Sequence, residues 1–348
     1  VDIDGSEEGV WVDKKYGLKG CTLRTISADE ARECLRDKTL TFVGDSVTRF
    51  QFLSLASFIK NGVWPDEGKG PPILIARKPW PVWYKLASEH FSGSEWCDCF
   101  RPISGWVSAT TARQLTENRY FHHDSHNVSL NLLTSYGIWK MHGHYPPPCW
   151  TAGRSKKGDP FNFTKEMVAV PECKGPQGLN SFSRESLIKA RHQFTDGEWA
   201  QWTRTGYDWE GDLHWVLKEV IPRLQTDLLF LNFGIWADIF KQLKTKEYAD
   251  KVVKSAQEHL CSKGVKCMWK RTTHPSHTSP AVPTPQDTHA MPLVEEFGWE
   301  VFDAGTPTKG VYAYKDAYHF QSYVYNELNK LLLNQLCPRG GSRVSKKS

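Results

Sequence analysis

Short apolar runs alternate with amphipathic segments along this chain, and the pattern predicts strands alternating with helices. The run Leu40-Thr41-Phe42-Val43 predicts a buried strand over 39–43. Apolar residues then recur at helical spacing, at Phe52, Leu55, Ala56 and Ile59. Further strands are predicted at 128–134, 228–231, 265–269 and 301–302, and further helices at 246–262 and 320–335.

This alternation predicts an α/β fold with a mostly parallel central sheet, right-handed crossovers and helices on both faces. We expect the main domain to span residues 38–337. Residues 1–37 show no strong periodicity and predict an irregular layer packed on that domain. A long irregular insertion is expected over about 61–205, which is rich in Pro, Gly, Trp and His, and a flexible basic tail over 338–348.

Composition narrows the function classes. The net charge of the 348-residue chain is only +5, and several positive charges fall between Arg339 and Lys347, so a nucleic-acid partner is not expected. No apolar run reaches the roughly 18 residues of a membrane span. The chain begins at Val1 rather than Met. We therefore interpret it as a trimmed luminal or mature fragment, contacting a membrane only through an anchor outside it.

Cysteines and glycosylation sequons together indicate the secretory route. The chain has nine cysteines and two sequons, at Asn127 and Asn162. Eight cysteines could pair in about 105 ways, and the sequence does not choose among them. Cys97 and Cys99 are too close for an easy bridge with each other, so each is expected to pair elsewhere. The ninth cysteine is left unassigned.

Two short segments carry the candidate chemistry. Gly44-Asp45-Ser46-Val47 follows the first predicted strand directly, and Asp316 and His319 precede the last predicted helix. A serine becomes a nucleophile when a base removes its proton, and Asp316, on the same side of a helical turn, could orient His319 as that base. Backbone N–H groups at the helix N-terminus could bind the oxyanion. The alternative is that Asp45-Ser46 only caps a helix and Asp316-His319 is a surface pair.

A third segment, Leu231-Asn232-Phe233-Gly234, ends another predicted strand. Asn232 there could donate its amide to an oxyanion, or Asn232 and Gly234 could simply form the turn. Histidines at 122, 123, 126, 142 and 144 could in principle bind a metal, but no helical ligand pattern is present and we assign no metal site. Six tryptophans of the irregular middle could pack in the core or stack on sugar rings: Trp80, Trp83, Trp96, Trp106, Trp139 and Trp150.

Several segments, in order, resemble the plant trichome birefringence-like polysaccharide O-acetyltransferases and the wider PC-esterase group of the SGNH hydrolase superfamily. In the N-terminal part, the similar segments are Gly9-Val10-Trp11-Val12 and Phe42-Val43-Gly44-Asp45-Ser46-Val47-Thr48-Arg49. In the middle of the chain they are Asn232-Phe233-Gly234-Ile235-Trp236 and Lys270-Arg271-Thr272-Thr273-His274-Pro275. Near the C-terminus they are Asp316-x-x-His319 and Tyr325-Asn326-Glu327-Leu328. The resemblance spans residues 9 to 337. The chain departs from the family pattern at Phe50, at Ile235, near His274 and in the shortened segment Ala317-Tyr318-His319-Phe320.

The resemblance implies a three-layer SGNH-like sandwich in which Ser46, Asp316 and His319 form a catalytic triad. It also makes Gly44, Arg49 and Asn232 candidates for shaping the oxyanion site or binding substrate. The implied activity is transfer of an acetyl group through an acyl-serine to a polysaccharide hydroxyl, in the Golgi lumen or outside the cell. No tightly bound cofactor is expected. The donor would be acetyl-CoA or an acetylated intermediate, and a membrane acetyl-donor protein is a candidate partner.

Two alternatives remain open at this point. With water as the acceptor the same residues would make an acetylesterase, and the outcome depends on whether the groove excludes water. A protein of the same fold could instead bind glycans without catalysis, using its tryptophans. An intact Ser, Asp and His set argues against that second alternative.

Overall fold

In the computed structural model of the chain, the described residues are 9–18, 23–65, 90–91, 94–100, 116–135, 141–143, 209–211, 213–234, 245–274, 284–309, 311, 313–314, 316 and 318–338. The strands are β1 (Gly9–Val12), β2 (Lys15–Leu18), β3 (Thr39–Gly44), β4 (Glu95–Phe100), β5 (Thr116–His123), β6 (Val128–Thr134), β7 (Met141–Gly143), β8 (Trp209–Gly211), β9 (Leu228–Leu231), β10 (Lys266–Lys270) and β11 (Glu300–Phe302). The helices are α1 (Ala28–Cys34), α2 (Ser46–Asn61), α3 (Lys246–His259), α4 (Pro285–Glu296), α5 (Gly305–Thr308) and α6 (Ser322–Leu336). An irregular helical segment also covers 213–224.

The described strands form one seven-stranded sheet and two small two-stranded sheets. The order of the large sheet is β11-β10-β9-β3-β6-β5-β4. The neighbours from β11 to β6 pair in parallel, whereas β5 pairs antiparallel with both β6 and β4. Numbered along the chain, the five parallel strands lie in the order 2-1-3-4-5, which is a doubly wound arrangement. The switch point of such a sheet falls between its first and third strands, here β3 and β9.

Helices cover both faces of this sheet because the strand residues alternate between two hydrophobic cores. Phe42 and Phe230 point to the core that also contains apolar residues of α1, α2 and α6. Val43 and Leu231 point to the opposite core, which includes α3, α4 and the segment 213–224. A parallel sheet buried on both faces needs nearly continuous apolar strands, and β9 (Leu-Leu-Phe-Leu) satisfies this requirement.

Helix α2 is buried along nearly its whole length. Every residue from Ser46 to Ile59 is buried, and Gly62 ends the helix in the left-handed conformation. Two hydrogen bonds cross this layer: the Ser54 hydroxyl donates to Asn326 Oδ1 at 2.7 Å, and Asn329 donates to the Gln51 carbonyl at 2.9 Å. These bonds join α2 to α6, so α2 is held between the sheet and the last helix.

The N-terminal segment is more regular than the irregular layer expected from the sequence. β1 and β2 form an antiparallel hairpin, and α1 begins with a capping box in which Ser27 and Glu30 each bond the other's backbone N–H. The segment is tied to the end of the domain by a disulfide between Cys34 and Cys337. The capping box was readable in the sequence as Ser-x-x-Glu, and the prediction missed it.

The expected strands and helices are present with small shifts at their ends. Helix α3 stops at His259 and a 3-10 turn follows at Cys261–Lys263, and α6 begins at Ser322. Helix α4 was not predicted, because Pro292 lies inside it and its apolar face is weak. Within the expected insertion, β4, β5 and β6 are strands of the main sheet, and only β6 was predicted.

Several expectations fall outside the described residues. They concern the tail 339–348, the Asn162 sequon, and the side chains of Cys97, Cys99 and all six tryptophans singled out above. A second disulfide joins Cys261 to Cys267. Among the described residues, no helix has the length and apolar character needed to cross a membrane.

We expect the Cys34–Cys337 bridge to contribute much more stability than Cys261–Cys267. The bridged residues are 303 positions apart in the first case and 6 in the second. In the chain-entropy account, the long loop corresponds to about 6 kcal/mol and the short one to about 2 kcal/mol. Denaturant unfolding of two double variants measures the difference. One carries Cys34→Ala with Cys337→Ala, and the other carries Cys261→Ala with Cys267→Ala. Equal losses would contradict the expectation.

Candidate active site

The sequence-predicted residues lie at the carboxyl edge of the parallel strands, at the switch point. Ser46 follows β3 directly, and Asn232 follows the adjacent strand β9. Lys270 ends β10, the next strand along. In doubly wound sheets, ligands bind in the crevice at this edge.

The turn from β3 into α2 presents Ser46 at the start of the helix. Asp45 is the N-cap residue, and its Oδ1 accepts the N–H groups of Val47 at 2.9 Å and Thr48 at 3.3 Å. Gly44 is needed because a Cβ there would lie 2.3 Å from Thr48 Oγ1. Strand and helix therefore approach closely only with glycine at this position.

Ser46, His319 and Asp316 form a hydrogen-bonded chain. His319 Nε2 lies 2.7 Å from Ser46 Oγ, and its Nδ1 lies 2.8 Å from Asp316 Oδ2 and 3.0 Å from Oδ1. A carboxylate only accepts hydrogen bonds, so Nδ1 carries a proton. In the neutral imidazole, Nε2 is then free to accept the hydroxyl proton of Ser46. The three residues are separated by up to 273 positions, and the structure brings them together.

Asp316 and His319 lie in a bend before α6, not in the helical turn expected from the sequence. Asp316 Oδ1 accepts the backbone N–H groups of Tyr318 and His319, both at 2.9 Å. Partial burial alone would raise the pKa of Asp316, but the His319 side chain and these two N–H groups more than offset it. The net effect holds the pKa of Asp316 well below its ordinary range. The carboxylate therefore stays ionised while it accepts the hydrogen bond from His319 Nδ1.

Phe320 fixes this bend to the core. It is fully buried, it forms an isolated antiparallel bridge with Tyr314, and its N–H donates to the Tyr325 hydroxyl at 3.1 Å. The His319 ring meets the Phe50 ring edge-on, with centroids 5.1 Å apart. Phe50 thus limits how the imidazole can rotate.

Asn232 does not have a free amide for an oxyanion. Its Nδ2 donates to the Lys270 carbonyl at 2.8 Å and to Thr272 Oγ1 at 3.1 Å, and its Oδ1 accepts the Gly234 N–H at 2.7 Å. Both amide hydrogens are used, so Asn232 holds together the ends of β9 and β10. Of the two roles considered for Asn232, this geometry matches the turn-forming one.

Arg49 points into the interior rather than toward substrate. Its guanidinium is 1% exposed and bonds Glu117 at 2.8 Å, and Glu117 also bonds Arg119 at 2.8 Å. Arg119 in turn bonds Glu95 at 2.9 Å. Burial opposes ionisation of Glu117, but the two arginines hold its pKa below the ordinary value. This buried ion network joins the first turns of α2 to β5 and β4.

The backbone N–H of Ser46 is the best-placed donor for an oxyanion. The first N–H groups of a helix have no partner within it. The Asp45 carboxylate takes those of Val47 and Thr48, and the Asp45 carbonyl takes that of Arg49. Over the described ranges, no group accepts the Ser46 N–H. The sequence predicted several backbone N–H groups for binding an oxyanion. Of those in the first turn of α2, only that of Ser46 is left for this role.

Gly234 forms the turn that the sequence suggested for it, whereas the contribution of Lys270 was not predicted. Gly234 has φ +72°, and a Cβ there would lie 2.6 Å from the Asp45 side chain, so the loop after β9 packs against the N-cap. Lys270 is buried beneath α2, where its ammonium donates to Thr48 Oγ1 at 3.1 Å. A lysine directly after the apolar run Cys-Met-Trp was the available signal for a charge at this edge.

The histidine-rich turn between β5 and β6 lies at the opposite end of the parallel strands. In it, His122 Nδ1 is 2.9 Å from Ser129 Oγ, and Asn127 donates to Asp37 at 2.9 Å. Asn127, the sequon in the described part, is thus remote from Ser46. In the part of the chain that the structure describes, no three His, Cys, Asp or Glu side chains could hold a metal ion together.

Exposure rises from the nucleophile outward. Ser46 is 7% exposed, whereas the side chains of His319 and Asp316 are 24% and 47% exposed. The arrangement joins a nearly dry serine to a base and a carboxylate at the surface. Such a set can carry out acyl transfer through a serine ester. No protein-family model matches the chain, and no curated protein matches it significantly.

Replacing Glu117 by Gln should cost about 3–5 kcal/mol of unfolding free energy, because it leaves buried arginine charge uncompensated. Denaturant unfolding measures this loss. The control is Glu33→Gln, which breaks an exposed ion pair with Arg36 and should leave the midpoint unchanged. A Glu117→Gln variant as stable as the parent would show that the network contributes nothing net.

Proposed function

We propose that this protein is an O-acetyltransferase that moves an acetyl group through Ser46 to a hydroxyl of an extracellular or cell-wall polysaccharide. The observation that carries the proposal is the pair of hydrogen bonds linking Ser46 to Asp316 through His319. Its position at the switch point of a doubly wound sheet supports it further. The resemblance to polysaccharide O-acetyltransferases supplies the acetyl group and the class of acceptor, within an SGNH-like fold.

In the first step, His319 Nε2 takes the Ser46 proton while Oγ attacks the acetyl carbonyl of the donor. The tetrahedral intermediate collapses to acetyl-Ser46, and the donor's leaving group departs with the proton from His319. In the second step, His319 takes the proton of a sugar hydroxyl, which attacks the ester. The proton then returns to Ser46, so proton count and charge balance over the cycle.

Asp316 contributes by holding the Nδ1 proton in place and by stabilising the imidazolium that forms in each step. The Ser46 N–H would donate to the oxyanion of both intermediates. Gly44 contributes close packing of β3 on α2. Asn232 and Arg49 would act by holding the surrounding strands and helix, since their polar groups are bound within the protein.

Acetylester hydrolysis is the second candidate reaction. The observation that favours it is the exposure of His319 and Asp316, which gives water access to the base. A glycan-binding role without catalysis gains no support from a serine hydrogen-bonded to an imidazole. The disulfides Cys34–Cys337 and Cys261–Cys267 are consistent with a secreted or Golgi-luminal protein, and that location is part of the proposal. A membrane acetyl-donor protein remains a candidate partner.

Intact-mass spectrometry distinguishes these reactions. The deglycosylated protein is mixed with an activated acetyl ester, with and without xylan or pectin oligosaccharides. A transferase forms an acetyl adduct that an oligosaccharide discharges faster than water, and the sugar gains the acetyl group. Discharge to water at the same rate with or without sugar would identify an esterase. No adduct with either the activated ester or acetyl-CoA would contradict both.

Ser46→Ala should abolish adduct formation and lower turnover by at least about 10³-fold, because no acyl-enzyme can form. The matched control is Ser57→Ala in the same helix. Ser57 Oγ also contacts an imidazole, His90 Nε2 at 3.2 Å, but within the described residues no carboxylate bonds that ring. The control should keep parental activity. Loss of activity in both variants would indicate damage to α2 instead of loss of a nucleophile.

Asp316→Asn should lower turnover by about 10³–10⁴-fold while leaving substrate affinity nearly unchanged. The amide can present its N–H to Nδ1, which favours the tautomer with the proton on Nε2, where it blocks the role of base. Steady-state kinetics with the activated ester measure kcat and KM separately. A large change in KM with kcat preserved would contradict the assigned role.

A further inference from the structure

Lys270 is a buried lysine that connects two parts of the site. Its side chain is almost fully buried, and its Nζ donates to Thr48 Oγ1 at 3.1 Å, in the first turn of α2. Its Nζ also lies 6.0 Å from the centre of the Phe230 ring. Its backbone carbonyl accepts the Asn232 amide at 2.8 Å. Lys270 therefore contacts both the helix that carries Ser46 and the loop after β9.

The charge of Lys270 is weakly compensated. Burial lowers the pKa of the ammonium to about 8, while the carboxylates of Asp45 and Asp287 act in the opposite direction. Over the described ranges, no carboxylate comes within the 4.0 Å of an ion pair with Nζ. The lysine is thus charged at neutral pH with one neutral hydrogen-bond acceptor, Thr48.

A cation at this place works against the fold. The N-terminus of a helix already carries a partial positive charge, which disfavours a nearby lysine. Burying an ammonium costs several kcal/mol unless a close anion compensates it. Asp45 and Asp287 act on the ammonium from beyond ion-pair distance, and both carboxylates already accept other hydrogen bonds: Asp45 as the N-cap, Asp287 from Trp269, Thr272 and Thr284. The ammonium therefore has no close anion within the described residues, and negative charge that develops at the helix end would be attracted to it.

We propose that Lys270 is a positioning residue for acyl transfer, whose buried charge supports the negative charge that develops on the acyl oxygen at Ser46. It acts through Thr48, which it hydrogen-bonds in the first turn of α2, and does not touch substrate. This inference rests on the proposed acyl-serine chemistry. The groups facing the ammonium are Asp45 and Thr48 from α2, Asp287 from α4 and Phe230 from β9.

The test is the rate of Ser46 labelling by a fluorophosphonate probe and by p-nitrophenyl acetate, measured from pH 6 to pH 10. The parent should lose reactivity as pH rises through about 8, where Lys270 loses its charge. Lys270→Met should react about 10–100-fold more slowly at pH 7 and should lack this alkaline fall. The matched control is Lys266→Met, an exposed lysine of the same strand, which should behave as the parent.

The outcomes separate this inference from the proposed function. If the parent protein is not labelled at Ser46 by either probe, the acyl-serine function fails, and this inference fails with it. If parent and Lys270→Met are labelled with the same rates and the same pH dependence, only the role of Lys270 is overturned. A merely structural lysine would change the melting temperature without removing the alkaline fall.

A second variant covers the case in which Lys270→Met does not fold. Thr48→Val keeps the volume of the side chain and removes the acceptor of the Lys270 hydrogen bond. It should lower the labelling rate at pH 7 and change the pH at which the labelling rate falls. A Thr48→Val protein with the parental rate and the parental alkaline fall would overturn the proposal.

Discussion

The carboxylate of Asp45 is the contact on which the site depends. It caps α2 through Val47 and Thr48, and it packs against Gly234 in the loop after β9. One buried group thus joins β3, α2 and the neighbouring strand end. Because α2 is buried along its length, it cannot rotate to compensate for a change at its first turn. The Ser46 hydroxyl is therefore fixed by backbone packing before any partner reaches it.

The hydrogen-bond partners of Ser46 are held in place by other interactions than the serine itself. His319 and Asp316 sit in a partly exposed bend, whose position depends on Phe320 in the core and on the Tyr325 hydroxyl. On the other side of the first turn of α2, Arg49 joins an ion network that is fully buried. The two arginines of that network are balanced by Glu117 and Glu95, whereas Lys270 has no carboxylate within ion-pair distance among the described residues. In the proposed reaction, the ammonium of Lys270 is thus the buried charge that would respond to negative charge on the acyl oxygen.

The sequence was a good guide where local pattern decides the structure. Ser46 was recognisable because an apolar strand ends directly before it, and Asp316 and His319 because they precede an amphipathic helix. The roles of Asn232 and Arg49 could not be predicted in the same way. The Asn232 amide donates to the carbonyl of Lys270, which is 38 positions away, and the Arg49 guanidinium donates to Glu117, which is 68 positions away. Helix α4 was missed because its internal proline argues against a helix when packing is not considered.

The Cys34–Cys337 bridge and the α2–α6 contacts also set an order of biosynthesis. The serine helix is made early, but its buried surface is completed by α6, which begins 261 residues after the serine helix ends. Until then, the side of α2 that packs against α6 has no partner and the Ser46 hydroxyl lacks the His319 imidazole. A chain that ends before α6 would therefore expose one side of its serine helix and would lack the hydrogen bond between Ser46 and His319.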